Sequence, residues 1–394
     1  MAMAKHKTIR LKPKAGRRAK AGAPWIFSNE IDMSADVKAL PPGTPVNVAG
    51  DDRVLGTGYF NPHSLIAARL LDGEKDAVIG KEFFAAKLHR ALKLREALYD
   101  DPYYRLVHAE GDGLPGLTID RFDDVCVAQI TTAGMEALTE TILEALDDVI
   151  APRAVVLRND APSRALEGLE NIVRAGRGKI PSRIAIEENG ARYFGDLQCG
   201  QKTGWYYDQR DCRAFMAKLA KGRSFLDAYC YAGGFAVLAA KTGATETVGI
   251  DSSQPALSLA EEAATANHVS CSFVKADVFE QLERLVAANQ TFDVVCADPP
   301  PFVKSRKDLE PGARAYRKLA RLAASVTAKS GFLFLASCSH NIPMERFADE
   351  CALGILRTGR KASLIRQGGA GGDHPVHPML PETAYLKTLV YALD

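Results

Sequence analysis

The stretch from Arg223 to Asp251, RSFLDAYCYAGGFAVLAAKTGATETVGID, constrains the fold of this chain more than any other feature. A short apolar segment ends at Asp227, and a turn that contains two glycines follows it. An apolar helix is predicted over Phe235–Lys241, and a second apolar segment ends at Asp251. This order predicts the first strand–helix–strand unit of a doubly wound sheet, in which ligands bind at the carboxyl ends of the strands.

The turn and the second acid together indicate the kind of ligand. Gly233 allows the backbone to approach a ligand closely, and Asp251 is placed to bind the two hydroxyls of a ribose. The turn lacks the GxGxxG spacing that holds a pyrophosphate. We therefore expect a nucleoside ligand without a diphosphate, and S-adenosylmethionine fits that description. A glycine turn that serves packing alone is the alternative.

Length and composition describe an ordinary globular protein with more than one core. The chain has 394 residues, of which 47% are hydrophobic and 25% are charged. No window approaches about 20 uninterrupted apolar residues, so we expect no membrane span, and the basic start lacks the apolar segment of a secretory signal. The cysteines show neither a CxxC pair nor a zinc-like spacing. Free thiols, a cytoplasmic location and no metal site are the expectation.

Residues 1–73 are predicted to form a small β-barrel, because short strands alternate with the turns PPGT, AGDD and NPHS. Lysines and arginines crowd the first twenty residues without any acid, although the net charge of the chain is only +2. Basic side chains such as Lys14 and Arg17 neutralise phosphates, and the nearby Trp25 offers a ring on which a base can stack. We interpret this module as RNA-binding. A solvated tail, with Trp25 in the core, is the alternative.

A central α+β module is predicted over residues 74–188, with helices over Lys81–Tyr99 and Glu136–Ile150. A third domain is predicted over residues 189–394, and a hairpin with Asn189-Gly190 as its turn spans the start of this domain. The segment GQKTGWYYDQRDCR follows, and its Lys202 and Gly204 are expected to cover a ligand held in the glycine turn. Packing between domains is the alternative.

Two further strand ends carry candidate chemistry. In FDVVCADPPPF a buried strand over Val294–Ala297 delivers Asp298 to the edge of the sheet, and three prolines stiffen the loop behind it. In GFLFLASCSHN another strand delivers Cys338 to the same edge. A free cysteine is usually a buried small hydrophobe, but a partly exposed thiol at a ligand-binding edge is a candidate nucleophile. Asp277, after the third strand, is a candidate partner for an adenine amine or a plain surface acid.

Taken together, these motifs make the chain resemble the ribosomal large-subunit methyltransferase I family, cytosine-5 RNA methyltransferases that use S-adenosylmethionine. The resemblance covers essentially the full length and rests on APWIFSNEI, GYFNPHS, EGDGLPGLTIDRF, QKTGWYYDQRD, LDAYCYAGGF, DPPPF and SCSH. It implies an α/β protein: a PUA-like RNA-binding barrel, a central α+β domain and a C-terminal Rossmann-like class I methyltransferase domain. The third proline after DPP and a longer HPVHP loop depart from the family pattern.

The resemblance also implies roles for particular residues. Cys338 is expected to attack the base, with Asp298 nearby. The cofactor is expected to contact a larger set, Asp227, Tyr229, Gly233, Asp251, Asp277, Asp298, Lys202 and Gly204. The RNA substrate is expected to contact Pro299, Pro300, Phe302, Lys14, Arg17 and Trp25.

The expected product is 5-methylcytosine in large-subunit (23S) ribosomal RNA, formed through a covalent adduct of Cys338. One alternative is methylation of an exocyclic amine of the N2-guanine type by the DPPPF loop, a reaction that needs no cysteine. A second alternative is an RNA-binding assembly factor without catalytic activity. The target nucleotide, the form of the RNA substrate and the existence of a homodimer are left open by the sequence.

Overall fold

The computed structural model describes residues 5–197 and 203–394. Its backbone separates into two compact units. The first comprises the described parts of Met1–Ser182, Leu197–Trp205 and Gly372–Pro381, and the second comprises Arg183–Asp196, Tyr206–Gly371 and Glu382–Asp394. The finer division into domains over residues 1–73, 74–188 and 189–394 stays a prediction.

The N-terminal part of the first unit is a five-stranded sheet of order β1-β3-β4-β5-β2. Its strands are β1 (Lys7–Arg10), β2 (Trp25–Ile26), β3 (Thr44–Ala49), β4 (Val54–Phe60) and β5 (Ala68–Asp72), with short helices α1 (Arg17–Lys20) and α2 (Ala35–Lys38). Its apolar core includes Ile9, Val48 and Phe60, which are fully buried. The short strands match the sequence prediction. Among the described residues, β1 and β2 end the sheet and no pairing between them closes it into a barrel.

A second five-stranded sheet follows, in the order β10-β9-β8-β7-β6. Its strands are β6 (Tyr103–His108), β7 (Leu117–Phe122), β8 (Val125–Ile130), β9 (Ala154–Asn159) and β10 (Ile172–Arg177), with helices α3 (Lys81–Glu96), α4 (Ala133–Ala137) and α5 (Thr139–Val149). The helix predicted over Glu136–Ile150 is therefore two helices. The Thr139 hydroxyl donates to the Glu136 carbonyl at 2.7 Å and so closes the turn between them.

The GYFNPHS motif has a structural role in this unit. The carboxylate of Glu167, which is 4% exposed, accepts hydrogen bonds from Asn61 at 2.8 Å, from Ser64 at 2.7 Å and from Arg69 at 2.9 Å. A buried carboxylate is stable only when it is paired and hydrogen-bonded. Asn61 and Ser64 therefore supply hydrogen bonds to the buried carboxylate of Glu167, which lies far from them in the sequence.

The second unit begins with the predicted hairpin, formed by β11 (Ile184–Glu188) and β12 (Ala191–Gly195). A seven-stranded sheet follows in the order β15-β14-β13-β16-β17-β19-β18. The strands are β13 (Ser224–Ala228), β14 (Glu246–Asp251), β15 (Ser272–Lys275), β16 (Phe292–Ala297), β17 (Thr327–Ser337), β18 (Ala362–Gly368) and β19 (Lys387–Leu393). The helices are α6 (Arg210–Ala220), α7 (Gly234–Lys241), α8 (Gln254–Ala266), α9 (Val278–Ala287), α10 (Leu309–Ser325) and α11 (Met344–Leu356).

The pairing of these strands confirms the doubly wound sheet. Strand β13 pairs in parallel with β14 on one side and with β16 on the other. The strand order therefore reverses at β13, and ligands bind at such a switch point, outside the carboxyl ends of the strands. Strand β19 runs antiparallel to both β17 and β18. Strand β16 also pairs in parallel with β17, so the loops after β13, β14, β16 and β17 leave the sheet at one edge.

Candidate functional site

The loop after β13 has an unusual backbone. Tyr229, Tyr231 and Gly233 all have positive φ angles, of 68°, 47° and 76°. The amides of Tyr229 and Cys230 both donate to the carbonyl of Ile250, at 2.9 and 3.0 Å. A residue other than glycine that is held at a positive φ angle raises the free energy of the fold by about 1–3 kcal/mol. Such residues cluster at ligand-binding sites. The two tyrosines therefore favour a binding role for this loop.

Asp227 lies near the end of β13 and is buried. It is 1% exposed, and its Oδ2 accepts a hydrogen bond from the amide of Ala236, in the first turns of α7, at 3.0 Å. Burial raises the pKa of Asp227 to about 7. The carboxyl group thus ties the end of β13 to the start of α7, and its direct contact with a cofactor stays a prediction.

The acids at the ends of β14 and β15 differ in their surroundings. Asp251 accepts hydrogen bonds from the amides of Tyr231 at 2.9 Å and Ser253 at 2.8 Å. Carboxylate oxygens can each accept a further hydrogen bond, so the ribose interpretation is compatible with this geometry. Asp277 is exposed and caps α9 by accepting from the amide of Glu280 at 3.1 Å. It therefore has a structural function, whether or not it also binds adenine.

Asp298 follows β16, and its Oδ2 accepts a hydrogen bond from Nε2 of Gln209 at 2.9 Å. Gln209 is 2% exposed, and its Oε1 has no hydrogen-bond partner among the described residues. A carboxylate can only accept, so it orients the amide with Nε2 toward Asp298. In the sequence, Gln209 lies inside QKTGWYYDQRD and has no local signal that indicates a role. Only the fold brings it to Asp298.

The DPPPF loop packs firmly against α10. Pro299 is buried, whereas Pro300 is exposed. The ring of Phe302 lies 4.8 Å from that of Tyr316 and 5.9 Å from that of Phe279, measured between centroids. A Cβ atom on Gly312 would lie 2.5 Å from Val303 and 2.7 Å from the carbonyl of Phe302, so α10 approaches the loop closely. The Phe302 ring is thus part of an aromatic row, and its contact with a base stays a prediction.

Two buried serines flank the half-buried Cys338. The Ser337 hydroxyl donates to the Tyr316 hydroxyl at 2.8 Å, and Tyr316 is also hydrogen-bonded to the Ser339 hydroxyl at 2.9 Å. The amide of Val303 donates to Ser339 at 3.2 Å. These bonds join the SCSH turn to the DPPPF loop. They hold the backbone on both sides of Cys338 while its thiol remains partly accessible.

The remaining predicted site residues lie elsewhere. Lys202 falls outside the described residues. Gly204 belongs to the first unit and has a φ of 108°, and its cofactor role stays a prediction. Lys14 and Arg17 are exposed in the first unit. Trp25 is half-buried there, and its indole nitrogen donates to Glu110 at 2.8 Å.

Two general properties hold for the described ranges, 5–197 and 203–394. No helix there has the length and apolar character needed to cross a bilayer. No group of three or more histidine, cysteine, aspartate or glutamate side chains in those ranges is arranged to hold a metal ion.

Comparison with known proteins identifies the families to which parts of the chain belong. Residues 9–72 match the PUA-like domain, and residues 176–355 match the S-adenosylmethionine-dependent methyltransferase family. Ribosomal RNA large subunit methyltransferase I of Shewanella denitrificans is 37% identical over 97% of this chain and 98% of its own length.

Two solved structures share the fold. A protein of Streptococcus mutans described as an S-adenosylmethionine-dependent methyltransferase has a TM-score of 0.83 at 22% identity, covering 98% of this chain and 100% of its own. The methyltransferase SMU.776, complexed with SAH, has the same TM-score of 0.83 at 21% identity and the same coverage. Sequence identity, near-complete coverage and the switch-point architecture agree: the chain is an S-adenosylmethionine-dependent methyltransferase and belongs to the ribosomal RNA large-subunit methyltransferase I family.

Proposed function

We propose that this protein transfers the methyl group of S-adenosylmethionine to carbon 5 of a cytosine in large-subunit ribosomal RNA. The substrate class follows from the names of its relatives. One observation carries the reaction type. The SCSH and DPPPF turns, which hold Cys338 and Asp298, are hydrogen-bonded to each other through Ser339 and Val303 at the ends of two adjacent strands.

The chemistry requires both groups. Carbon 5 of cytosine is a weak nucleophile, and addition of the Cys338 thiolate to carbon 6 turns the ring into an enamine. Carbon 5 of this enamine would bond to the methyl group while the bond from the methyl group to the sulfonium sulfur breaks, and S-adenosylhomocysteine would leave with the electron pair. The carboxyl group of Asp298 stabilises the adduct by hydrogen bonding to the ring. Removal of the proton on carbon 5 then expels the thiolate and restores the double bond. The target base must leave its stack to be reached.

The second candidate is methylation of an exocyclic amine, which would use the DPPPF loop without a thiol. In that reaction Phe302 would stack on the base. The ring of Phe302 contacts those of Tyr316 and Phe279 and does not separate the two reactions. The half-buried Cys338 at the end of the neighbouring strand, which the amine reaction does not need, favours the cytosine reaction. The third candidate, a factor without catalysis, is disfavoured by the loop after β13, whose Tyr231 amide is hydrogen-bonded to Asp251 in the conformation proposed to hold a cofactor.

The test is a trapping experiment with ribosomal RNA that contains 5-fluorocytidine. Fluorine on carbon 5 prevents the last elimination, so the wild-type protein should form a covalent complex with this RNA, visible as a shifted band. Cys338→Ala should form none and should produce no 5-methylcytidine by nucleoside mass spectrometry. Cys271→Ala, which removes another partly accessible thiol, is the matched control and should behave as wild type. Methylation by the Cys338→Ala protein would refute the adduct, and N-methylguanosine as product would establish the amine reaction.

A further inference from the structure

Lys387 has an unusual position for a lysine. It is the first residue of β19 and pairs with Ser337, the last residue of β17. The residue is 7% exposed. Its ammonium group donates to the carbonyl of Ser339 at 2.9 Å and to the carbonyl of Tyr385 at 2.8 Å. Lys387 therefore spans the turn that carries Cys338, touching the residue on either side of it.

Burying an ammonium group is costly unless a compensating charge is near. Two carbonyl oxygens use two of its three N–H donors and compensate part of the charge. Burial lowers the pKa of Lys387, and the negative charge of a Cys338 thiolate acts in the opposite direction. The interaction between the two charges is mutual. A thiolate that stabilises the charged form of the lysine is therefore itself stabilised by the charge of the lysine.

Among the other titratable groups near this turn, the tyrosines and the acids do not supply positive charge. Burial raises the pKa of Tyr206 and of Tyr316, and the charge of Cys338 acts in the same direction on both. Tyr385 donates its hydroxyl proton to Asp208 at 2.5 Å, and its ring contacts that of the exposed His340. Asp298 and Asp208 are acids, whose charge opposes ionisation of a thiol. Lys387 is a buried cation within this group.

We propose that Lys387 is a positioning residue that holds the SCSH turn and stabilises the thiolate of Cys338. The thiol gives its proton to solvent, and the S–H electron pair stays on sulfur as the nucleophile. The proposal deepens the cytosine-5 mechanism and rests on it for its biological meaning. Its physical content, a lowered pKa of one thiol, can be measured without RNA or cofactor.

The experiment measures the rate at which iodoacetamide alkylates Cys338 in the full-length protein, from pH 6 to pH 10, by peptide mass spectrometry. In Lys387→Met the midpoint of the profile should move up by about one unit, which is roughly a tenfold lower rate near pH 7. Lys387→Arg keeps the charge and should retain most of the reactivity. Lys329→Met removes an exposed lysine of the same strand pair and should leave the Cys338 profile unchanged. In every variant, the alkylation rate of Cys271 should equal its rate in the wild-type protein.

A variant that loses its fold would expose all thiols, so circular dichroism and the rate at the buried Cys351 are recorded for each protein. If Lys387→Met fails this check, Lys387→Gln, which retains N–H donors without the charge, replaces it. An unchanged Cys338 profile in a folded uncharged variant overturns the proposal. That result would not affect the proposal of a covalent Cys338 adduct, which the trapping experiment tests separately. If trapping failed but the Cys338 profile shifted, the cytosine-5 reaction would be refuted and the interaction between Lys387 and Cys338 would stand.

Discussion

At the scale of single residues, the site is built from polar groups that are buried or half-buried beside a hydrogen-bond partner. Gln209 contacts Asp298, and Lys387 contacts the carbonyl of Ser339. Asp227 instead contacts a backbone amide, that of Ala236. Each partner compensates the cost of taking the other out of water. Changes at these residues should therefore be visible in pH profiles, since a charge in a buried site shifts the ionisation of its neighbours.

Asp227 predicts a pH dependence of stability. Its folded pKa is raised from 3.8 to about 7, so between these values the folded state holds a proton that the unfolded state has lost. The free energy of unfolding should fall as pH rises through this interval, by at most about 1.4 kcal/mol per unit from this group, and should level off above it. In Asp227→Asn this contribution should vanish, so the free energy of unfolding of the variant should rise relative to that of wild type from about pH 4 to pH 7. Urea unfolding at each pH measures it, and a constant difference between the two proteins would contradict the pKa.

Gln209 predicts a pH dependence of activity. In Gln209→Glu a second carboxyl group would face Asp298, and like charges raise the pKa of one of the pair. The acidic limb of the kcat/KM profile should move to higher pH, with a fall in rate of about tenfold near neutral pH. Gln254→Glu, on the exposed start of α8, is the control and should leave the limb in place. An unshifted limb in Gln209→Glu would show that the second carboxyl group does not change the ionisation on which the acidic limb depends, and would contradict this prediction.

At the scale of elements, the glycine turn before α7 depends on its backbone conformation and on space. Gly233 has a φ of 76°, and a Cβ there would lie 3.0 Å from Cβ of Ala260 and 3.2 Å from Cγ2 of Val237. Gly243 also has a positive φ, of 102°, but a Cβ there would meet only Lys221, at 3.9 Å. The two glycines therefore separate the effect of strain from the effect of crowding.

Gly233→Ala should weaken S-adenosylmethionine binding by about tenfold or more, because α7 and α8 must move apart at the binding loop. Gly243→Ala carries the conformational strain alone, of the order of 1 kcal/mol, and should lower the melting temperature without changing the affinity. Isothermal titration calorimetry and thermal melts measure the two quantities. Equal affinities for both variants would mean that the turn does not contact the cofactor.

At the same scale, the elements differ in how well their patterns predict them. The strands β13, β14 and β16 are predictable because buried parallel strands are continuous apolar runs. The strand Ile172–Arg177 is not, because it lies at a sheet edge, where exposed apolar and basic residues show no regular alternation. The pattern over Glu136–Ile150 predicts one helix where there are two, because the apolar spacing of Leu138 and Ile142 continues across the break between the helices.

At the scale of the whole molecule, the chain combines a PUA-like module with a methyltransferase sheet. The proposed RNA contacts Lys14 and Arg17 are exposed on the first of these. Trp25 uses its indole nitrogen to bind Glu110, which favours a supporting role for this ring over free stacking.

The Lys14→Ala/Arg17→Ala protein should bind ribosomal RNA more weakly, because each phosphate contact releases a counterion. The slope of log K against log salt should become shallower by up to about two. Affinity for S-adenosylmethionine should stay the same. Lys329→Ala/Lys361→Ala, which removes two exposed charges from the methyltransferase part, is the control in filter binding over a series of salt concentrations. An unchanged salt slope would remove these two residues from the RNA interface.

The sequence by itself determined the doubly wound sheet, the acids and cysteine at its strand ends, and the family, because each motif is contiguous and its pattern is local. It did not determine which side chains meet. Gln209 reaches Asp298 across 89 residues and Lys387 reaches Ser339 across 48. Neither pair has a local signature, since a hydrogen bond between distant residues depends on how the strands are ordered in the sheet. The tertiary structure alone decided which side chains surround Asp298 and Cys338.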